Sequence, residues 1–465
     1  MGSQLRRRWL LLALALAVGA ALRLWFIRAY PEVEGDPLLY GDIARNWMLH
    51  GIYGLTSGDV IAATLIRLPG YPLFLVLCFR LFGIGNYHAV MLVQAAIDLG
   101  TCLLVAALAR RLWNDRAGWW ALWLAVLCPF TANYVAIPLT ETLELFSTAL
   151  AFYALFRFLA TPRWLWALAL AASWSCAALL RPDGALLAVA LCPAIVFYGR
   201  SRWGALSMLR WAAACGLLSV LPFIPWTIRN ARTFHVFEPL APRYAVDPDE
   251  SPDLGFNRWT KTVCADLACT WEIYWNANSA AIDPANLPAR AFDSPAQAAQ
   301  TRQLLDDYNR VTDLTPAIDA RFAALAAQRV HNHPFRYYVE LPLARLADMA
   351  LRPRTELLWI ELRWWQYSRH HAETEFSYAY AALNLAYLLA AAIGFRRRPP
   401  LRGAILAFIL LRCALLITLE APEPRYTLEF FPPLIALAAI ACSGKRQLHA
   451  DMERPGSRLE STRST

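Results

Sequence analysis

Carboxylates and guanidiniums recur beside apolar runs along this 465-residue chain, at places where charge is costly to hold. Glu34, Asp36, Arg67, Glu141, Glu144, Arg181, Asp183, Arg229, Glu420, Glu423 and Arg425 make up one such mixed set. A guanidinium grips a phosphate through two parallel hydrogen bonds, and a carboxylate serves as a general base. Together they suit an anionic phosphate substrate and a proton acceptor. Each residue also has a plain structural reading, in which an Arg snorkels to an interface and an acid pairs with it. Cys264 and Cys269 lie close together in a polar segment and are spaced for a local disulfide if that segment faces an oxidising compartment. His331-Asn332-His333 and His370-His371 lack the further ligands a metal site needs and read as ordinary loop residues. No phosphate-binding loop of the nucleotide-hydrolase type is present.

The elements that must position these groups are membrane spans. The chain is 58% hydrophobic, 13% aromatic and only 17% charged, too apolar for a soluble protein of this size. Ten spans are expected: Trp9–Trp25, His88–Ala109, Gly118–Ala136, Leu143–Leu159, Trp164–Leu180, Ala185–Tyr198, Leu209–Thr227, Ala379–Phe395, Leu401–Leu419 and Leu428–Cys442. The first follows Arg6, Arg7 and Arg8 and shows no clear small-residue cleavage site, so it is expected to stay uncleaved. With the N-terminus in the cytoplasm, nearly every Arg cluster between spans falls on one side, as the positive-inside rule requires. The net charge of +9 comes largely from these clusters, so no nucleic-acid partner is expected. The fold class is therefore an all-α polytopic membrane protein.

Four regions are expected. Residues 1–228 form a transmembrane module with interfacial helices in the first outer loop, residues 27–87. Residues 229–378 form a long extracytoplasmic loop before the last three spans, 379–443 hold those spans, and 444–465 form a disordered cytoplasmic tail. In the first loop, Tyr40–Leu49 has helical spacing, and Pro72–Phe82 is apolar but too short to span. In the long loop, Pro295–His331 reads as helical and Tyr337–Met349 as an amphipathic helix on the membrane surface.

The motifs carry a resemblance. Gly35-Asp36-Pro37-Leu38-Leu39-Tyr40 with Ile43-Ala44-Arg45-Asn46 and Gly51-Ile52-Tyr53-Gly54 resembles the first-loop motif of GT-C glycosyltransferases, and more narrowly of the protein mannosyltransferase and aminoarabinose transferase group. Arg67-Leu68-Pro69-Gly70-Tyr71-Pro72, Leu139-Thr140-Glu141-Thr142-Leu143, Leu180-Arg181-Pro182-Asp183-Gly184, Pro225-Trp226-Thr227-Ile228-Arg229-Asn230 and Pro424-Arg425-Tyr426 are similar to further signposts in the expected order. The resemblance implies a GT-C bundle with an extracytoplasmic active site. It implies Asp36 as general base, Arg67 at the donor phosphate, and Glu141, Arg181, Arg229 and Arg425 as donor- or phosphate-binding residues, with no obligatory metal and no cofactor. Many relatives carry a second acid where this chain has Pro37, which makes Glu34 a fallback candidate.

The expected function is transfer of a sugar, with inversion, from a polyprenyl-phosphate donor to a lipid, glycan or protein acceptor, in a bacterial inner membrane with both termini cytoplasmic. The rival readings are a secondary transporter or lipid flippase, or an inactive GT-C-like subunit of envelope-polysaccharide assembly.

Overall fold

The computed structural model describes residues 2–366 and 370–446. The expected cytoplasmic tail lies almost wholly outside them. The chain divides into two compact units. One comprises Met1–Pro248, Ala386–Leu411 and Leu428–Thr465; the other comprises Asp249–Leu385 and Arg412–Thr427.

The first unit is a helical bundle. Its helices are α1 (Gly2–Ala29), α2 (Asp36–His50), α3 (Gly70–Phe82), α4 (Tyr87–Leu112), α5 (Asp115–Val126), α6 (Pro129–Ala132), α7 (Glu141–Ala160), α8 (Trp164–Leu180), α9 (Ala185–Trp203), α10 (Ala205–Val220) and α11 (Phe223–Phe234). The α4 helix packs on α5 and α7, α7 on α8, and α9 on α10, while α1 leans on α4 and α5. Five helices in the described chain are long and apolar enough to cross a membrane, or up to seven if each bent pair is one span.

Two expected spans are broken. The run Gly118–Ala136 bends by 50° between α5 and the segment Pro129–Ala136, and the run Leu209–Thr227 bends by 41° between α10 and α11. Proline explains both, because Pro129 and Pro222 have no N–H to continue the helical ladder. A guanidinium meets the first break. Arg23 of α1 donates to the Val126 carbonyl at the end of α5 (2.8 Å), to the Gly19 carbonyl (2.9 Å) and to Asp98 of α4 (2.6 Å). Arg23 and Asp98 are 0% and 1% exposed, an ion pair shut inside the bundle.

Among the described residues, the all-α expectation has one exception. Between α2 and α3 lies an antiparallel hairpin, β1 (Gly54–Ser57) and β2 (Val60–Ala63), with Ser57 opposite Val60. The turn is Gly58-Asp59, and Gly58 takes a φ of +59° that a side chain resists.

The second unit holds α12 (Leu254–Val263), a single turn α13 (Leu267–Cys269), α14 (Pro295–Val311), α15 (Pro316–Asn332) and α16 (Leu341–Leu351). Two later helices, α17 (His371–Arg396) and α18 (Arg402–Leu416), each contribute to both units, and α19 (Phe431–Ala441) belongs to the first. The single helix expected over Pro295–His331 is two. Thr312 adopts a left-handed φ of 52°, and Pro316 then opens a new helix capped by the Thr315 side chain. The second unit has its own core, in which Phe256, Trp259 and Phe322 pack on one another. Cys264 and Cys269 are joined there by a disulfide.

Candidate active site

The first outer loop brings Asp36 and Arg67 together. Gly35 turns the chain with a φ of +62°, and Pro37 starts α2 at its first turn, where the missing proline N–H costs nothing. Asp36 therefore stands at the mouth of α2, with its carboxylate 34% exposed. Arg67 reaches it from the segment after the hairpin, donating to Asp36 at 2.8 Å with its own side chain 21% exposed.

One helical turn beyond Asp36, Tyr40 points the same way. Its ring is 93% buried, packs edge-on against Tyr71 at 5.1 Å and lies under the Arg67 guanidinium at 5.8 Å. Burial pushes the Tyr40 phenol up to about 12; Arg67 and Arg181 oppose that rise, while Asp36 and Glu141 add to it. Tyr40 thus lies within the electrostatic reach of all four charges.

A second cluster stands beside it. Glu141 and Glu144 occupy the first turn of α7, three residues apart on one face, where the helix N-terminus favours negative charge. Both are nearly fully buried. Arg181, at the end of α8, lies 3.7 Å from Glu141, 3.6 Å from Glu144 and 3.2 Å from Asp183. Glu429, just before α19, acts electrostatically on Glu144 as well.

Backbone contacts fix the two clusters. A Cβ on Gly70 would meet the Leu179 carbonyl oxygen at 2.6 Å, so only glycine lets the turn after Arg67 touch the end of α8 just before Arg181. The Tyr71 hydroxyl donates to Gln94 at 2.7 Å, and Gln94 donates to the Ile137 carbonyl at 2.9 Å. That chain ties α3 and α4 to the link leading into Glu141.

The other expected residues have partners of their own. Arg229 donates to the Tyr53 and Thr64 carbonyls at 2.7 and 2.8 Å, and to the side chain of Asn230. Its guanidinium also packs on the rings of Tyr53, Trp226 and Phe234. It holds the base of the hairpin. Arg425 belongs to the second unit and pairs with Glu423 at 2.7 Å. Glu34 is exposed one turn before α2. In the sequence Tyr40 stands out only as part of the Gly35–Tyr40 motif, and the Arg23–Asp98 pair was not expected. The signal for the pair was an Arg and an Asp, each inside an expected span. Among the described residues, no group of three His, Cys, Asp or Glu is arranged to hold a metal ion.

These features define a helical membrane protein with a half-exposed carboxylate–guanidinium pair at the end of its bundle. Residues 67–226, about a third of the chain, match the family described as Dolichyl-phosphate-mannose-protein mannosyltransferase. No curated protein sequence matches it. Among solved structures it is similar to the archaeal oligosaccharyltransferase AglB from Archaeoglobus fulgidus in complex with an inhibitory peptide and a dolichol-phosphate, with 12% identity and a TM-score of 0.49 over 94% of this chain and 50% of that one. It is also similar to ArnT from Cupriavidus metallidurans bound to undecaprenyl phosphate, with 16% identity and a TM-score of 0.38 over 92% of this chain and 77% of that one. The chain spans about half the length of the oligosaccharyltransferase.

Proposed function

We propose that this protein is a membrane glycosyltransferase. It moves one sugar from a polyprenyl-phosphate donor to an acceptor outside the cytoplasm, with inversion at the anomeric carbon. The observation that carries the reading is the Asp36–Arg67 pair at 2.8 Å, half-exposed above buried Tyr40 and beside the Glu141–Arg181 cluster.

The acceptor hydroxyl loses its proton to the Asp36 carboxylate as its oxygen bonds to the anomeric carbon. The bond from that carbon to the phosphate oxygen breaks, and polyprenyl phosphate leaves with the electron pair. Arg67 meets the phosphate and stabilises the charge gathering on the leaving oxygen. A single displacement inverts the centre, so no second carboxylate is needed as nucleophile, and Pro37 in place of a second acid is compatible with the chemistry. Arg181, set among Glu141, Glu144 and Asp183, orients the second cluster toward donor or acceptor. Arg229 positions the hairpin rather than binding phosphate.

The ten-span layout with both termini cytoplasmic and the site extracytoplasmic is part of this proposal. The Cys264–Cys269 disulfide supports it, since such bonds persist in oxidising compartments. A transporter would place an ionisable group within reach of water at mid-membrane. The Arg23–Asp98 pair has neither partner more than 1% exposed, which disfavours that reading.

The test is a lipid mass profile of cells lacking the protein, complemented with wild type or Asp36→Asn, with thermal melting of the purified variant as a folding control. A polyprenyl-phosphate sugar should accumulate in the deletion and with a folded Asp36→Asn protein, but not with wild type. Restoration of the normal profile by Asp36→Asn would overturn the assignment of the base.

A further inference from the structure

At the end of the first unit remote from Asp36 lies a groove that the proposed reaction does not use. Arg8 stands near the start of α1, about 30 Å along that helix from the end that leads into Asp36. The groove runs between α1, α4, α5 and α7 and offers a volume of about 390 Å³, within the range of small-ligand sites.

Its rim is cationic. Arg8, Arg110 and Arg111 line it against a single carboxylate, Asp115. Asp115 sits 2.7 Å from Arg110 and 3.7 Å from Arg8, which holds those two guanidiniums at the rim while leaving them 56% and 62% exposed. The geometry is built by close helix packing: a Cβ on Gly118 would meet the Arg110 Cβ at 2.8 Å, so glycine draws α5 onto α4 at this level. The floor is apolar, with Ala107 and Trp119 among its residues. Trp9 of α1 also lines it and is 63% exposed, as expected where hydrocarbon meets headgroups.

A soluble anion would find the basic rim but gain nothing from the apolar floor. A zwitterionic lipid would find the floor but not the net charge. We propose that the groove binds one acidic phospholipid, with its phosphate on Arg8, Arg110 and Arg111 and the upper part of its chains along the floor. The site is separate from the proposed donor site. It requires only that the bundle sit in a bilayer.

The test is native mass spectrometry of the full chain in a neutral detergent, titrated with phosphatidylglycerol or with phosphatidylcholine of the same chains. Wild type should retain one phosphatidylglycerol in preference to phosphatidylcholine. Arg110→Gln/Arg111→Gln should weaken that binding on the order of thirtyfold, from about a factor of five per basic residue. Ala107→Trp, which fills the floor and leaves the charges, should weaken it too. The charge-matched control Arg396→Gln/Arg398→Gln, exposed and away from the groove, should bind as wild type does. Equal uptake of the two lipids would overturn the proposal. So would a loss in the control as large as in the groove variants, or full displacement of the lipid by millimolar inorganic phosphate.

Discussion

Replacing Arg23 by Met tests how the bundle tolerates charge. The guanidinium contacts Asp98 at 2.6 Å, the Val126 carbonyl at 2.8 Å and the Gly19 carbonyl at 2.9 Å, with no exposed surface. The Gly19 carbonyl already accepts from the helical ladder, so its loss matters little. The Val126 carbonyl belongs to the last turn of α5, where the ladder stops, and stranding it costs about 1–3 kcal/mol. Leaving the buried carboxylate unpaired is the larger effect, and breaking one side of such a pair costs about 3–5 kcal/mol in all. Arg23→Met should therefore destabilise the protein by roughly 4 kcal/mol, a large part of a typical total. Arg23→Met/Asp98→Leu removes both charges and should recover to within about 2 kcal/mol of wild type, since replacing a whole buried pair is often near neutral. Unfolding by increasing sodium dodecyl sulfate in mixed micelles, followed by tryptophan fluorescence, measures all three proteins and Asp98→Leu. If the double variant loses the sum of the two singles, the pair carries no coupling and the reasoning fails.

Arg67→Lys keeps the charge but loses the planar fork, and should cut kcat/KM for sugar transfer by about tenfold or more with an unchanged melting temperature, read in a donor-consumption assay. Arg229→Met should do the reverse, lowering the melting temperature of the whole protein by the equivalent of about 2–3 kcal/mol, because it strands two carbonyls and three stacked rings at the hairpin base. Reducing the Cys264–Cys269 bond should cost about 2 kcal/mol, small because the closed loop is only five residues apart in sequence; melting with and without reductant reads it. Asp348 gives a pH dependence. Burial pushes its carboxyl up to about 6; Arg352 opposes the rise, and Asp266 adds to it. The folded state therefore holds a proton that the unfolded chain has already released, so this group's contribution to stability falls as pH rises from about 4 to 6. Asp348→Asn should flatten that slope, by about 3 kcal/mol at most, in denaturation curves taken across the window.

Much of the helical fold was legible because apolar runs of span length leave a chain few other choices. Asp36 and Arg67, 31 positions apart, meet in the structure. The hairpin is signalled by Gly58-Asp59 between Leu55-Thr56 and Val60-Ile61, but its two strands are only four residues each and lie between stretches with stronger helical spacing. The breaks at Pro129 and Pro222 were likewise written in the residues, but the apolar runs around them passed as continuous spans. Tyr40 could not be singled out from its neighbours, since its place among four charges depends on Arg181 and Glu141, which lie more than 100 positions away. For Arg229 and Arg425 the residue type suggested phosphate binding. Only packing shows the first tied to backbone carbonyls and the second paired with Glu423.

The contact at Gly70 joins the two charged clusters mechanically. Because the turn after Arg67 rests on the backbone of Leu179, with no side chain between to yield, a shift of the end of α8 is passed on undamped to Arg67. Under the proposed function, a substitution of Gly70 by Ala should therefore disturb both clusters at once, because the added methyl would force Leu179 and the turn after Arg67 apart.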